Sequence, residues 1–201
     1  MKDRLTQFID QLYVDDIPKE RIEILDSVVQ YIRDKRSSGT VPKLNFICTH
    51  NSRRSQFSQL WAKTMSVFFQ IPIMSYSGGT AVTEFNERAV ASLKRTGFEI
   101  VESGTVNPRY EVKLNGDTLI MYSKLFDDQE NPKSEFAAIM TCSDADENCP
   151  FIPGCEKRIP LRYEDPKAFD DTDIESDKYD ERSKQIALEL KYVFLKLKEN
   201  E

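Results

Sequence analysis

The stretch LNFICTHNSRRSQ, residues 44–56, joins an apolar segment of β-forming residues to a segment with helical periodicity. A strand is predicted at its start and a helix from Ser55 onwards. Cys48 stands at the junction, and Arg54 follows it six residues later. At such a junction the unpaired N–H groups of the loop and of the first helical turn converge on one point, where they attract a tetrahedral anion. The spacing Cys-x5-Arg-Ser therefore predicts an oxyanion-binding loop with a cysteine at its base.

The side chains of this loop suit nucleophilic attack on a bound oxyanion. The positive end of a helix favours the thiolate form of Cys48, and the Ser55 hydroxyl can donate a hydrogen bond to that thiolate. Arg54 offers two parallel donors to two oxygens of the anion, and Asn51 tolerates the left-handed backbone of a tight loop. A buried core cysteine beside an exposed arginine pair is the alternative interpretation, which the preceding apolar strand disfavours. The predicted oxyanion-binding residues are Thr49, His50, Asn51, Ser52, Arg53 and Ser55.

The segments around the loop alternate between strand and helix patterns. We predict, in order, strand 44–48, helix 55–69, strand 72–77, helix 84–96, strand 98–101, strand 136–141, strand 158–162 and helix 178–198. Such alternation predicts an α/β fold with a mostly parallel sheet covered on both faces. The oxyanion loop follows the first strand, so we expect it at the carboxyl ends of the strands, where open α/β sheets bind ligands.

Two further features are predicted outside this alternation. Helices are predicted at 3–13 and after Pro18, and they form an N-terminal helical extension over residues 1–40 that covers the core or contacts another subunit. Within residues 104–134, two β-rich segments flank Asn115-Gly116, which is a strong signal for a two-residue hairpin. We expect this hairpin to extend the sheet or to flank the oxyanion loop.

The composition limits the classes of partner. The chain has 201 residues, 31% of them charged, and a formal net charge of −6, which argues against nucleic acid or an anionic membrane as the main partner. The sequence contains neither a run that could span a membrane nor the apolar core of a signal peptide. Four cysteines fit a reducing compartment, where disulfides are usually transient and catalytic. We therefore expect a cytoplasmic protein.

Two motifs carry a resemblance to a known family. The loop CTHNSRRS, which begins at Cys48, is similar to the anion loop of the low-molecular-weight protein tyrosine phosphatases and of the thioredoxin-coupled arsenate reductases that share their fold. In both groups an Asp-Pro late in the chain supplies a general acid, and Asp165-Pro166 matches it. The resemblance covers roughly residues 43–103 and 136–200. It implies a three-layer flavodoxin-like α/β domain over residues 41–201, interrupted by the hairpin insertion.

The segment IMTCSDADENCP, which contains Cys142 and Cys149, favours the reductase branch. It is closely similar to the Cys-Ser-Asp-Ala-Asp-x-x-Cys-Pro segment of those reductases, with seven matching positions in a window of nine. His50 and Gln56 also resemble the reductase form of the loop, since phosphatases usually carry Gly in place of His50. The resemblance thus implies reduction of arsenate to arsenite. The polar residues 143–148 are predicted to form a mobile loop between the two cysteines.

The mechanism that the resemblance implies is a thiol relay. Cys48 attacks arsenate, Arg54 and the loop amides hold its oxygens, and Asp165 protonates the leaving water. Cys142 then attacks Cys48, which releases arsenite and leaves a disulfide between the two cysteines. Cys149 moves this disulfide to Cys142–Cys149, where thioredoxin reduces it.

Two alternatives remain open. A low-molecular-weight protein tyrosine phosphatase would hydrolyse phosphomonoesters through a phosphocysteine at Cys48. A metal-binding or interaction module would use Cys142, Cys149, Cys155 and His50, although zinc ligands usually come in tighter pairs than these.

The reductase interpretation requires no resident cofactor or metal. Its partners would be an arsenate-like or phosphate-like oxyanion, and thioredoxin as the reductant. Gln59 stands where many arsenate reductases carry a Glu that helps to bind potassium, which makes that cation site doubtful. Cys155 has no role in the implied relay.

Overall fold

The computed structural model describes residues 3–148 and 151–199. The helices are α1 (Asp3–Asp10), α2 (Lys19–Ser37), α3 (Arg54–Phe69), α4 (Glu87–Thr96), α5 (Ser143–Asn148) and α6 (Glu175–Lys198). The strands are β1 (Lys43–Cys48), β2 (Met74–Gly79), β3 (Ile100–Ser103), β4 (Arg109–Leu114), β5 (Asp117–Met121), β6 (Phe136–Met140) and β7 (Cys155–Ile159). Within these ranges no helix is both long enough and apolar enough to cross a membrane. Cys149, a predicted relay cysteine, lies outside the described residues.

The central sheet has four parallel strands in the order β2-β1-β6-β7. In this sheet Cys48 at the end of β1 is level with Gly79 of β2, and Ile47 is level with Met140 at the end of β6. The segments that follow these three strands therefore meet at one edge of the sheet. This arrangement confirms the predicted α/β fold class and places the predicted oxyanion loop at the carboxyl ends of the strands.

The two faces of the sheet bury different side chains because successive residues of a strand point to opposite sides. One face, which includes Leu44 and Phe46, packs into the main core with α1 to α4 and α6. The other face, which includes Ile47, forms a smaller core to which Ala145 of α5 and Phe126 contribute. The sheet is thus covered on both sides, as predicted.

The N-terminal helices α1 and α2 pack into the main core. Phe8 of α1 stacks on Trp61 of α3 with ring centroids 5.5 Å apart, and Phe98 meets Trp61 edge to face at 5.0 Å. Leu25 and Ile32 of α2 are completely buried in the same core. Both helices therefore cover the core, one of the two roles expected of the extension. The division of the chain at residue 40 stays a prediction.

β3, β4 and β5 form a separate antiparallel sheet. The predicted hairpin is confirmed: Asn115 and Gly116 join β4 to β5 with φ of 48° and 95°, as a turn with two left-handed residues requires. The strand predicted at 98–101 in the main sheet is instead β3, which pairs with β4. That prediction was wrong because so short a strand carries no information in its own residues about the partner with which it pairs.

The predicted mobile loop at 143–148 is helix α5, so that prediction was wrong. Ala145 is the one buried residue of α5. The sequence of the helix therefore lacks the apolar face by which an amphipathic helix is recognised. Contacts with distant residues hold the helix instead. Smaller differences occur at element ends: β7 begins three residues before the predicted strand, α6 begins three residues early, and α1 ends at Asp10.

Candidate active site

Cys48 lies at the base of the loop between β1 and α3 and is 3% exposed. The backbone N–H of Asn51 donates a hydrogen bond to Cys48 Sγ at 3.2 Å. Ser55 Oγ, in the first turn of α3, lies 3.0 Å from the same sulfur. The sulfur is thus in contact with one main-chain donor and with one hydroxyl.

Asn51 holds Ser55 beside Cys48. Its side-chain N–H donates to Ser55 Oγ at 2.9 Å, while its Oδ1 accepts from the backbone N–H of Lys124 at 3.0 Å. Ser55 Oγ thus accepts one hydrogen bond from Asn51 and shares another with Cys48 Sγ. Asn51 has a φ of 47°, which is the left-handed conformation that the sequence suggested.

Arg54 contacts the segment that carries the predicted general acid. Its Nη2 donates to Asp165 Oδ2 at 2.7 Å, and its Nη1 donates to the carbonyl oxygen of Tyr163 at 2.9 Å. Asp165 Oδ1 accepts from the backbone N–H of Lys167 at 3.1 Å, which caps the short 3-10 helix Pro166–Phe169. The predicted acid and the predicted anion-binding arginine therefore lie side by side.

Arg53 was predicted to bind the oxyanion, but its side chain has other partners. Its Nε donates to the Tyr179 hydroxyl at 2.8 Å, and its Nη2 lies 3.5 Å from Asp170 Oδ2. The Tyr179 hydroxyl donates to Asp170 Oδ1 at 2.7 Å. Burial and the hydrogen bond with Asp170 raise the pKa of Tyr179, so this phenol remains a donor at neutral pH. The Arg53 guanidinium is thus engaged by α6 and the Asp170 carboxylate.

Other members of the predicted oxyanion-binding set fix the loop in place. Ser52 Oγ donates to the carbonyl oxygen of Glu84 at 2.7 Å. His50 is exposed, and its carbonyl oxygen accepts from Ser123 Oγ at 2.8 Å. Thr49 Oγ1 donates to Asp144 Oδ2 at 2.6 Å. The hydroxyls of Thr49 and Ser52 are thus engaged within the protein, whereas His50 makes its contact through the main chain.

Cys142 lies beside the oxyanion loop. It follows β6, the neighbour of β1, and is 1% exposed. Its Sγ is 3.5 Å from Thr49 Oγ1 and accepts from the backbone N–H of Ala145 at 3.4 Å. Since Thr49 directly follows Cys48 in the chain, two of the three predicted relay cysteines belong to segments that touch.

Two carboxylates hold α5 in place. Hydrogen bonds from Thr49 and Asn148 lower the pKa of Asp144. Burial raises the pKa of Asp146, but the hydrogen bonds from Arg162 and Arg158 outweigh it and lower this pKa below its ordinary value. Both side chains are therefore ionised at neutral pH, and they attach α5 to the oxyanion loop and to the region around β7.

Cys155 lies at the opposite end of the sheet. It begins β7 and is level with Phe136 at the start of β6, whereas Cys142 follows the end of β6. Cys142 lies six positions after Phe136, and at the rise of an extended chain this separates the two levels by about 20 Å. Cys142 and Cys155 therefore cannot ligate one metal ion, and the alternative of a metal module that uses both is wrong. Residues 3–148 and 151–199 contain no cluster of three His, Cys, Asp or Glu side chains suited to a metal.

Comparison with known sequences identifies the family. No protein-family model matches the chain. Arsenate reductase 2 of Staphylococcus haemolyticus is 31% identical over 122 residues, which cover 60% of this chain and 76% of that protein. The chain belongs to the arsenate reductase family. Arsenate reductase 2 of Staphylococcus epidermidis is 30% identical over 122 residues, which again cover 60% of this chain and 76% of that protein.

Solved structures show the fold that this arsenate reductase family member shares with phosphatases. A low-molecular-weight phosphotyrosine phosphatase from Vibrio cholerae O395 aligns with 79% of this chain and 97% of its own, with a TM-score of 0.52 and 13% identity. At that identity the likeness concerns the fold alone. It confirms the expected phosphatase-like α/β architecture, and the chemistry has to be argued from the site.

Several residues that shape the site of this arsenate reductase family member escaped the sequence analysis. Asp144 anchors Thr49, and Asp170 and Tyr179 anchor Arg53. Ser123 and Lys124, just beyond the hairpin, hold the loop from the other side. All five act on partners more than 70 positions away in the chain, so no local pattern could reveal them. The roles assigned to the predicted site residues stay predictions.

Proposed function

We propose that the protein reduces arsenate to arsenite through Cys48 and Cys142. The observation that carries this proposal is the contact between the two cysteine segments, in which Cys142 Sγ lies 3.5 Å from Thr49 Oγ1. A hydrolase needs only the Cys48 loop, whereas reduction through a disulfide needs a second thiol within reach of the first. The similarity to staphylococcal arsenate reductases supports the same function.

In the first step the Cys48 thiolate attacks the arsenic of bound arsenate, and a sulfur–arsenic bond replaces an arsenic–oxygen bond. Arg54 and the loop N–H groups hold the remaining oxygens. Once the oxyanion has displaced Asp165 from Arg54, the carboxylate takes up a proton from solvent and passes it to the leaving oxygen, which departs as water. The 2.7 Å ion pair between Arg54 and Asp165 keeps the acid beside the loop, and an arriving oxyanion competes with Asp165 for the guanidinium.

In the second step Cys142 attacks Cys48 Sγ. A sulfur–sulfur bond forms and the sulfur–arsenic bond breaks. Its electron pair stays on arsenic, which leaves as arsenite. The N–H of Ala145, whose nitrogen is 3.4 Å from Cys142 Sγ, would stabilise the attacking thiolate.

Regeneration of the thiols requires α5 to unwind. Cys142 directly precedes this helix and Cys149 directly follows it in the sequence, and its six residues span about 9 Å. A disulfide needs Cα atoms within about 7 Å of each other. Transfer of the disulfide to Cys149 therefore disrupts the helix and exposes the new bond, and we propose thioredoxin as the protein that reduces it.

Disulfide mapping after a single turnover tests this relay. The reduced protein is mixed with one equivalent of arsenate without a reductant, quenched with acid, digested and analysed by mass spectrometry. We expect a Cys142–Cys149 disulfide in the wild type, a Cys48–Cys142 disulfide in Cys149→Ser, and neither in Cys142→Ser. A wild-type protein that keeps all its thiols, or that links Cys155 instead, would refute the relay.

Tyr179→Phe is expected to lower kcat/KM for arsenate without unfolding the protein. The substitution keeps the buried ring but removes the hydroxyl that links Arg53 to Asp170. Asp170 lies in the same segment as Asp165, so this segment then loses one of its contacts with the oxyanion loop. A lost hydrogen bond worth roughly 1–2 kcal/mol lowers kcat/KM by about five-fold to thirty-fold. We expect the decrease in kcat, with little change in KM.

The control for this variant is Tyr76→Phe, which removes a hydroxyl whose partner is Met74 Sδ, at 3.7 Å. It should retain wild-type kcat/KM. If Tyr179→Phe has wild-type kcat and melts at the wild-type temperature, the link from Arg53 to Asp170 does not position the acid.

Phosphatase activity is the second candidate, and the arrangement of Cys48, Arg54 and Asp165 favours it. These groups would stabilise phosphate and arsenate by the same interactions. Cys48 would form a phosphocysteine that water hydrolyses, with Asp165 protonating the leaving alcohol. Hydrolysis of an aryl phosphate makes no use of Cys142, so its dependence on that cysteine separates the two activities.

The proposal includes no resident cofactor. Gln59 Oε1 accepts from Ser77 Oγ at 2.6 Å, and Gln59 Nε2 donates to the carbonyl oxygen of Ser75 at 3.2 Å. A neutral amide that is hydrogen-bonded on both sides does not fit the carboxylate ligand of a potassium ion, so we propose that catalysis proceeds without one. The relay needs thiols at the start of each cycle, which supports a cytoplasmic location.

A further inference from the structure

Helix α5 is too short to be stable by itself. It has six residues, and isolated helices shorter than about 12 residues are marginal in water. Ala145 is its single buried residue. Contacts from other parts of the molecule therefore decide whether this helix stays folded.

Asp146 makes the most extensive of these contacts. Its Oδ1 accepts from Arg158 Nε at 2.8 Å, and its Oδ2 accepts from Arg162 Nε at 2.8 Å. Arg158 Nη2 also donates to the carbonyl oxygen of Asp146. The Asp146 side chain is 10% exposed, so these charge-assisted hydrogen bonds are less weakened by water than those of surface pairs. We call the three residues the α5 clamp.

The folded helix restricts access to Cys142. The Ala145 N–H from its first turn points at Cys142 Sγ, and the Asp146 N–H donates to the Cys142 carbonyl oxygen at 3.2 Å. With Cys142 only 1% exposed, a further thiol cannot approach its sulfur while this turn is in place. Thr49, which touches Cys142 Sγ from the other side, keeps the sulfur next to the Cys48 loop.

We propose that Asp146 is a positioning residue for the second thiol exchange. The α5 clamp holds the helix closed while Cys142 attacks Cys48, and opening of the clamp sets the rate at which another thiol reaches Cys142. In that exchange a thiolate attacks Cys142 Sγ, a new S–S bond forms, the Cys48–Cys142 bond breaks, and Cys48 leaves as a thiolate. No outside oxidant or reductant is consumed. The inference rests on the relay proposed above, but opening of α5 itself requires no arsenate.

The test measures the rate at which iodoacetamide alkylates Cys142. In a Cys48→Ser, Cys149→Ser, Cys155→Ser background Cys142 is the single remaining thiol, because the chain has four cysteines. Asp146→Asn in this background is expected to raise the alkylation rate at least about ten-fold, since it removes the carboxylate shared by two guanidinium groups.

The matched control is Glu147→Gln, which makes the same charge change in the same helix. The Glu147 side chain is 65% exposed and lies 3.5 Å from Arg162 Nη1, so less than about a two-fold change is expected. Arg162→Lys keeps the positive charge but removes the planar guanidinium that donates twice to Asp146. This variant should give an alkylation rate between those of the parent and Asp146→Asn. This variant also keeps the proposal testable if Asp146→Asn does not fold.

Hydrogen exchange separates local opening from global unfolding. In Asp146→Asn the amides of α5 should exchange faster while those of α3 stay as slow as in the parent protein. Equal alkylation rates in parent and variant, or equally accelerated exchange in α3 and α5, would overturn the proposal.

A second readout separates this inference from the relay. In the otherwise wild-type chain Asp146→Asn should speed conversion of the Cys48–Cys142 disulfide to Cys142–Cys149 after one equivalent of arsenate, without speeding formation of the first disulfide. If arsenate produces no disulfide in any variant, the relay fails, whereas faster alkylation of Cys142 still supports the role of Asp146 as the residue that holds α5 closed.

Discussion

Cys142→Ser is expected to abolish multiple-turnover reduction of arsenate while hydrolysis of an aryl phosphate, where present, stays within about two-fold of wild type. Without a thiol held next to Thr49, nothing displaces arsenic from Cys48, and the loss should exceed about 10³-fold because a neighbouring nucleophile is replaced by one from solution. Arsenite release and the mass of the protein, which should show arsenic retained on Cys48, measure this outcome.

Cys155→Ser is the matched control for that variant. It makes the same chemical change at the far end of the sheet, about 20 Å from the site, and should reduce arsenate at a rate within about two-fold of wild type. Equal losses in the two variants would show that thiol removal damages the fold, and would contradict the role assigned to Cys142.

Asp165→Asn is expected to lower kcat for arsenate by about 10²-fold to 10⁴-fold and, at the same time, to tighten competitive inhibition by phosphate. The amide cannot protonate the leaving oxygen. It is also neutral, so it competes less with an oxyanion for Arg54, which the carboxylate holds at 2.7 Å. Opposite effects on turnover and on inhibitor affinity distinguish loss of the acid from partial unfolding.

The control for this variant is Asp171→Asn, which removes a carboxylate six residues further along. Asp171 is exposed and pairs with Arg88 at 2.6 Å, away from the Arg54 guanidinium. Steady-state kinetics should show near wild-type kcat and phosphate inhibition. Wild-type kcat in Asp165→Asn would contradict the role of this residue as acid, and weaker phosphate binding would contradict its competition for Arg54.

The oxyanion loop and the parallel sheet could be predicted because their information is local. Strand β1, the cysteine, the arginine and the start of α3 follow one another within a few residues, and each has a recognisable pattern. The Asn115-Gly116 turn was predicted for the same reason, since its two left-handed residues define the hairpin by themselves.

The errors concern interactions between distant segments. α5 appears polar and loop-like because the charges that stabilise it, Arg158 and Arg162, lie outside the helix. The ion pair of Arg53 with Asp170 was likewise not visible locally, because Asp170 lies 117 positions further on, and the oxyanion role of Arg53 stays a prediction. Similarly, nothing in β3 itself shows that it pairs with β4.

Oxidation of NADPH in the presence of thioredoxin, thioredoxin reductase and arsenate tests the central claim most directly. The relay predicts steady consumption with the wild type and with Cys155→Ser, and none above background with Cys48→Ser, Cys142→Ser or Cys149→Ser. If the wild type consumes no NADPH with arsenate, yet hydrolyses an aryl phosphate as fast as Cys142→Ser does, the relay is contradicted and the protein is a phosphatase.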